Sequence, residues 1–129
     1  MIYGIGVDIA EISRFQMSYE RFGNRLIQKI LTLDEEKQFT LSKNKARFLA
    51  MRFAAKEATS KALGTGFKQG VAPRQIGVNH AKSGKPNLKV YGRVDEIFKR
   101  ERIVNSHLSL SDDAGLAIAY VVLETEALA

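Results

Sequence analysis

Glu57, Ser60, Lys61 and Gly64 fall at i, i+3, i+4 and i+7 in a run rich in Ala, Leu, Met, Lys and Arg. That spacing aligns them as one stripe on a helix, continuing a face that reads Leu49, Ala50 and Phe53 one to two turns earlier. The stripe offers a carboxylate for a metal and an ammonium for phosphate, and its glycine-flanked turn, Gly64-Thr65-Gly66, lets backbone come close to a ligand. This combination suits a magnesium-bound pyrophosphate. The same residues also fit a plain helix end, with a Glu57–Lys61 pair worth about 0.2–0.5 kcal/mol and Gly64 as its cap.

A second carboxylate, Asp8, closes the β-rich apolar run Ile2 to Ile9, in which Gly4 and Gly6 indicate close backbone approach or a bend. The run reads as a buried strand delivering Asp8 to a site, although Asp8 also suits a helix N-cap or a partner for Arg14. Arg14, Arg21 and Arg25, with Met17 between them, put cations and an apolar knob on or near one helix. They fit either an acidic partner or a merely solvated face. There is no cysteine, so disulfides and thiolate metal sites are excluded and hard cations held by oxygen are favoured over zinc. His107 reads as an ordinary, partly buried strand histidine, and His80 as a loop residue.

The elements that must position these groups follow from periodicity. Apolar residues from Glu11 to about Leu31 recur every three to four positions, broken at Gly23-Asn24, which predicts two short amphipathic helices. Thr32 and Glu35 have capping-box spacing, so a third helix begins near Leu33 with Asp34 in its first turn. The longest helix runs from about Ser42 to Leu63, apolar around much of its circumference and therefore buried. Gln75–Asn79 and Leu88–Tyr91 read as strands around the turn Ser83-Gly84-Lys85-Pro86, and Val94, Ile97 and Phe98 mark a short helix. His107–Ser111 and Leu116–Leu123 form a hairpin across Asp112-Asp113-Ala114-Gly115. The fold class is α+β, an antiparallel sheet packed against a long central helix.

At 129 residues and 45% hydrophobic, the chain has material for one core, so residues 1–129 read as a single domain and a larger site would be shared between copies. No run is long and apolar enough for a membrane span, and the start lacks a signal-peptide pattern, which predicts a soluble, cytoplasmic protein. The charge of +6 favours an anionic partner. A basic nucleic-acid-binding module, motivated by Lys43-Asn44-Lys45-Ala46-Arg47, would need stacking aromatics on a strand surface, whereas the aromatics here have helix-core spacing. Leu116–Leu123 is apolar at nearly every position, which predicts a second buried face against neighbouring subunits, with Ala119 and Val121 at that contact.

Gly6-Val7-Asp8-Ile9-Ala10-Glu11-Ile12 with Arg14, and Arg52-Phe53-Ala54-Ala55-Lys56-Glu57-Ala58 through Lys61-Ala62-Leu63-Gly64-Thr65-Gly66, resemble the two signature blocks of holo-acyl-carrier-protein synthases, the small phosphopantetheinyl transferases. The likeness continues through Gly84-Lys85-Pro86 and the terminal hairpin, and is weakest between Gln16 and Ala46. It implies transfer of 4'-phosphopantetheine from coenzyme A to a serine of acyl carrier protein in fatty acid biosynthesis. Asp8 and Glu57 would hold Mg2+, and Lys61 would face the pyrophosphate. Ser60, Gly64, Thr65 and Gly66 are weaker cofactor contacts. Arg14, Met17, Arg21 and Arg25 would meet the acidic carrier. The resemblance also implies a homotrimer with coenzyme A between subunits, and neither nucleic acid nor membrane as partner. An inactive scaffold of the same fold is disfavoured by retention of Asp8, Glu57 and Lys61 together. One departure stands out: Asp112 occupies the position where many relatives have a histidine, so a histidine base is in doubt.

Overall fold

The computed structural model describes residues 1–126. Strand β1 (Ile2–Glu11) leads directly into helix α1 (Ile12–Phe22), followed by α2 (Asn24–Ile30) and α3 (Leu33–Leu41). The long α4 (Lys45–Leu63) precedes a 3-10 turn at Pro73–Gln75, β2 (Ile76–His80), β3 (Pro86–Val90), α5 (Gly92–Arg100), β4 (Ile103–Asp113) and β5 (Leu116–Thr125). The expected α+β class and antiparallel sheet are observed. The strands divide into a three-stranded sheet of order β1-β5-β4 and a separate β2–β3 pair, antiparallel throughout.

Local chemistry accounts for the helix boundaries. Gly23, with φ of 53°, separates α1 from α2. The Thr32 hydroxyl accepts from the Glu35 N–H while the Glu35 carboxylate accepts from the Thr32 N–H, so both arms of the capping box are formed. Asn44 caps α4 by accepting from the Arg47 N–H, which moves its start from the expected Ser42 to Lys45. The terminal hairpin pairs as far as Asp113 opposite Leu116, leaving a two-residue turn at Ala114-Gly115, both at positive φ. His80 ends β2 instead of lying in a loop.

Helix α4 is buried around most of its circumference and lies across the inner face of β1 and β5. Its alanines bring it unusually near β1: a Cβ built on Gly4 would sit 1.9 Å from the Ala62 carbonyl oxygen, and one on Gly6 equally close to that of Ala58. The second cluster, Ile27, Ile30, Leu31, Phe39 and Leu49, fills the space under α1 to α3.

Two expectations are corrected. Strand β1 is not buried on both faces: Gly6 and Ala10 turn inward, while Ile5, Val7 and Ile9 are exposed because the sheet is covered on one side alone. Ala119 and Val121 are fully buried against α4, so they are core residues. The period of two along a strand sends Ile118, Tyr120 and Val122 to the outer face instead.

Candidate active site

The close packing of α4 on β1 fixes where the chemistry converges. Asp8 shares the inner face with Gly6 and Ala10, and α4 passes so near that Lys61 Nζ reaches Asp8 Oδ1 at 3.0 Å and the Val7 carbonyl oxygen at 3.0 Å. The second carboxylate is one helical turn away at Glu57. Burial and the neighbouring Asp8 carboxylate push the Glu57 carboxyl above its ordinary value, with Lys61 opposing. Asp8, Glu57, Lys61 and Arg14 all line a cavity of about 510 Å³, walled by Phe15, Leu26, Ile30 and Phe53. Neither alternative pairing forms, since Lys61 bridges to Asp8 and not Glu57, and Asp8 bonds Lys61 and not Arg14.

Among the described residues no three His, Asp or Glu side chains stand together as a metal cage. Two carboxylates open to one cavity, with Asp8 helping to raise the proton affinity of Glu57, fit a hard cation that keeps most of its shell as water and phosphate oxygen.

The other residues expected to contact a cofactor are placed differently from a simple stripe. Ser60 is fully buried and its hydroxyl donates to the Glu57 carbonyl at 2.7 Å, so it does not face the cavity with Glu57 and Lys61. Gly64 caps α4 in the left-handed conformation at φ 80°. The Gly64 N–H donates to the Lys61 carbonyl, and those of Thr65 and Gly66 both donate to the Ser60 carbonyl. The turn therefore lends no free amide to a phosphate. What it does offer is open space, since nothing lies within 4 Å of a Cβ placed at Gly64 or Gly66.

Arg14, Met17 and Arg21 are exposed along α1 and Arg25 on α2, with Met17 at 69% exposure. Arg14 belongs both to this row and to the Asp8 cavity, which joins the two regions.

Two features escaped the sequence. One is a second cavity of about 510 Å³ lined by Lys43, Arg47, Arg52 and His80 with Phe48 and Pro86, at the N-terminal half of α4. Asp112 Oδ1 accepts from Arg47 Nη2 at 2.8 Å, and that bond holds its carboxyl below the usual range. Asp8 lies opposite Ala119 on β1 and Asp112 opposite Ala117 on β4, with β5 between them, so they are about 10 Å apart or more. Within one chain Asp112 is thus the ion-pair partner of Arg47 and stands away from Asp8. His107 is exposed, contrary to expectation, with Nε2 2.5 Å from Glu124 Oε1 on the outer sheet face. The other missed feature is a buried pair, Glu35 and Lys56. Its signal was present: Leu49, Arg52, Lys56, Thr59 and Leu63 recur at three to four residues, which puts two charges on a core face.

The 4'-phosphopantetheinyl transferase superfamily model matches residues 4–121. A holo-[acyl-carrier-protein] synthase of Dechloromonas aromatica is 48% identical over 124 residues, covering 96% of this chain and 98% of the relative. The crystal structure of holo-[acyl-carrier-protein] synthase from Neisseria meningitidis superposes with a TM-score of 0.92 at 38% identity, covering 97% of this chain and 100% of that one. The Bacillus anthracis enzyme, solved in complex with CoA (3',5'-ADP), gives 0.81 at 37% identity over 98% and 99% of the two chains.

Proposed function

The chain belongs to the 4'-phosphopantetheinyl transferase superfamily, and from that membership we propose that it is a holo-[acyl-carrier-protein] synthase. It moves 4'-phosphopantetheine from coenzyme A to a serine hydroxyl of acyl carrier protein, releasing 3',5'-ADP, in fatty acid biosynthesis. The observation that carries this reading is the convergence of Asp8, Glu57 and Lys61 in one cavity.

The serine oxygen forms a bond to the β-phosphorus of coenzyme A as the bond to the bridging oxygen breaks, so 3',5'-ADP departs with that oxygen and the serine proton passes to solvent. Asp8 and Glu57 would hold Mg2+, which supplies Lewis-acid stabilisation of the phosphate oxygens when bound. The Lys61 ammonium, which a cation held by Asp8 would free, offsets charge gathering on the bridging oxygen. Ser60 acts only through the helix end that it helps close, and the Gly64-Thr65-Gly66 turn by admitting the ligand closely. The Arg14, Met17, Arg21 and Arg25 row receives the acidic carrier, and Arg14 brings that surface to the cavity rim.

We further propose a cytoplasmic homotrimer, with residues 1–129 as a single domain. The exposed outer row Ile5, Val7 and Ile9 beside Ile118, Tyr120 and Val122 supplies the apolar surface for subunit contact. The Asp8 cavity and the basic cavity lie at opposite halves of α4. A site shared between subunits brings one chain's cations toward its neighbour's carboxylates. Among the described residues no helix is long and apolar enough to cross a membrane. The nucleic-acid reading loses its support because the rings pair inside: Phe15 with Phe53, Tyr19 with Phe39, and Phe39 with Phe48.

Mass spectrometry of apo acyl carrier protein incubated with the chain, coenzyme A and Mg2+ tests the assignment. The carrier should gain the mass of phosphopantetheine, and chelator should stop it. A carrier of unchanged mass would overturn the function, and full transfer in excess chelator would overturn the role of Asp8 and Glu57.

A further inference from the structure

Lys56 and Glu35 are both fully buried, yet nothing in the reaction uses them. Every proton of the Lys56 ammonium is taken: Glu35 Oε1 accepts one at 2.6 Å, the Pro73 carbonyl another at 3.1 Å, and the Ile76 carbonyl the third. Glu35 is equally committed, with Oε1 accepting from the Thr32 N–H at 2.9 Å and Oε2 from the Val78 N–H at 3.0 Å. Arg52 Nε adds a cation 3.7 Å from Glu35 Oε2 without a hydrogen bond.

A buried ion pair by itself says little about stability, because apolar side chains of similar volume would join α3 to α4 about as well. They would not hold two backbone carbonyls and two amides. Three of these groups, the Pro73 and Ile76 carbonyls and the Val78 amide, belong to the segments that shape the cofactor region. The chain leaves α4 at Gly64, forms the Gly64–Gly66 turn, and returns at Pro73, where Lys56 fastens it two helical turns before its departure. The β2–β3 pair, which carries His80 and Pro86 of the basic cavity, is fastened at Ile76 by Lys56 and at Val78 by Glu35. Lys56 is also the residue before Glu57, so the anchor and the carboxylate share one turn of α4.

We propose that Lys56 and Glu35 are positioning residues for coenzyme A, setting the Gly64–Gly66 turn and the β2–β3 pair relative to Glu57 and Lys61. The proposal rests on the function assigned above.

The test is the double variant E35L/K56M, which keeps the volume buried and removes the backbone ties. It should stay folded at a lower Tm, because the untied backbone groups lose their partners, and its KM for acyl carrier protein should not change. Its KM for coenzyme A should rise about tenfold or more, which separates a lost positioning contact from a general loss of active protein. Hydrogen exchange should quicken at residues 64–72 and 76–80 and stay slow in β1 and β5. Should that variant not fold, E35Q keeps one carbonyl oxygen for Thr32 and Lys56 but turns an NH2 donor toward the Val78 N–H, so it unties β2 and reads the same comparison of the two KM values. An unchanged coenzyme A KM in either folded variant, with or without a lowered Tm, overturns the proposal. A wild-type chain that transfers nothing would instead bring down the assigned function, and the proposal with it.

Discussion

At 3.0 Å from both Asp8 Oδ1 and the Val7 carbonyl, the Lys61 ammonium is held by β1 while its aliphatic stem belongs to α4. Its charge matters most where negative charge develops, so Lys61→Ala should lower kcat by about 10²–10³-fold, the usual loss for one such donor. Carrier KM should change little, and steady-state kinetics with each substrate varied in turn gives both numbers. Glu57 allows a prediction of pH dependence. Its carboxyl is raised above the ordinary value by burial and by Asp8, so the folded chain binds a proton that the unfolded chain has released. Stability therefore falls as pH rises from the ordinary glutamate value through the raised one. Glu57→Gln should remove that fall, stabilising the metal-free chain near neutral pH by less than about 1 kcal/mol, since solvent screens a half-exposed group. Below the ordinary value the two proteins should melt together, and Tm measured across the acid range decides it.

The element that places these residues is β1 against α4, and its glycines are the weak point of the design. A methyl at Gly6 would meet the Ala58 carbonyl, backbone that cannot rotate away, so the strand and helix must separate. Gly6→Ala should cost about 1–3 kcal/mol as overpacking. It should also depress transfer more than stability alone explains, because Asp8 moves with the strand. Denaturant unfolding beside a transfer assay separates the two. That approach was legible, since paired glycines in an apolar strand signal it, and so were the capping box, the five helices and the hairpin, all set by local pattern. Ser60 was not, because spacing on a helix puts it beside Lys61 while the real packing of α4, with the sheet on one side and α1 and β2 against others, buries it. Nor were the Gly64–Gly66 amides: a glycine turn signals freedom of backbone, but whether its N–H groups are free depends on how the helix ends. The Lys56–Glu35 pair joins residues 21 apart that meet only in three dimensions.

For the whole molecule, the three-stranded sheet leaves its outer face as the place where a second copy can act. Ile5, Val7 and Ile9 are 57%, 49% and 60% exposed, and they stand beside Val122, Tyr120 and Ile118 in register. Across β5 the row turns polar, with His107, Ser109 and Ser111 on β4, so the apolar band is two strands wide and ends at the free edge of β1. A band of β-branched side chains at an open sheet edge is unfavourable in water and becomes favourable when covered. Charge placed on this band should therefore act on assembly, and charge one residue away should act on folding. Val122→Lys points outward and should give a folded monomer by light scattering, with circular dichroism unchanged. Val121→Lys points into the contact with α4 and should fail to fold, since an unpaired charge would lie in a fully buried position. If the coenzyme A site is completed by a neighbour, the Val122→Lys monomer should also lose most of its transfer activity while Lys61 and Asp8 remain in place. A folded Val122→Lys monomer with full activity would show that one chain suffices, and a wild-type chain that is monomeric at micromolar concentration would show that the outer band is covered by something other than its own copies.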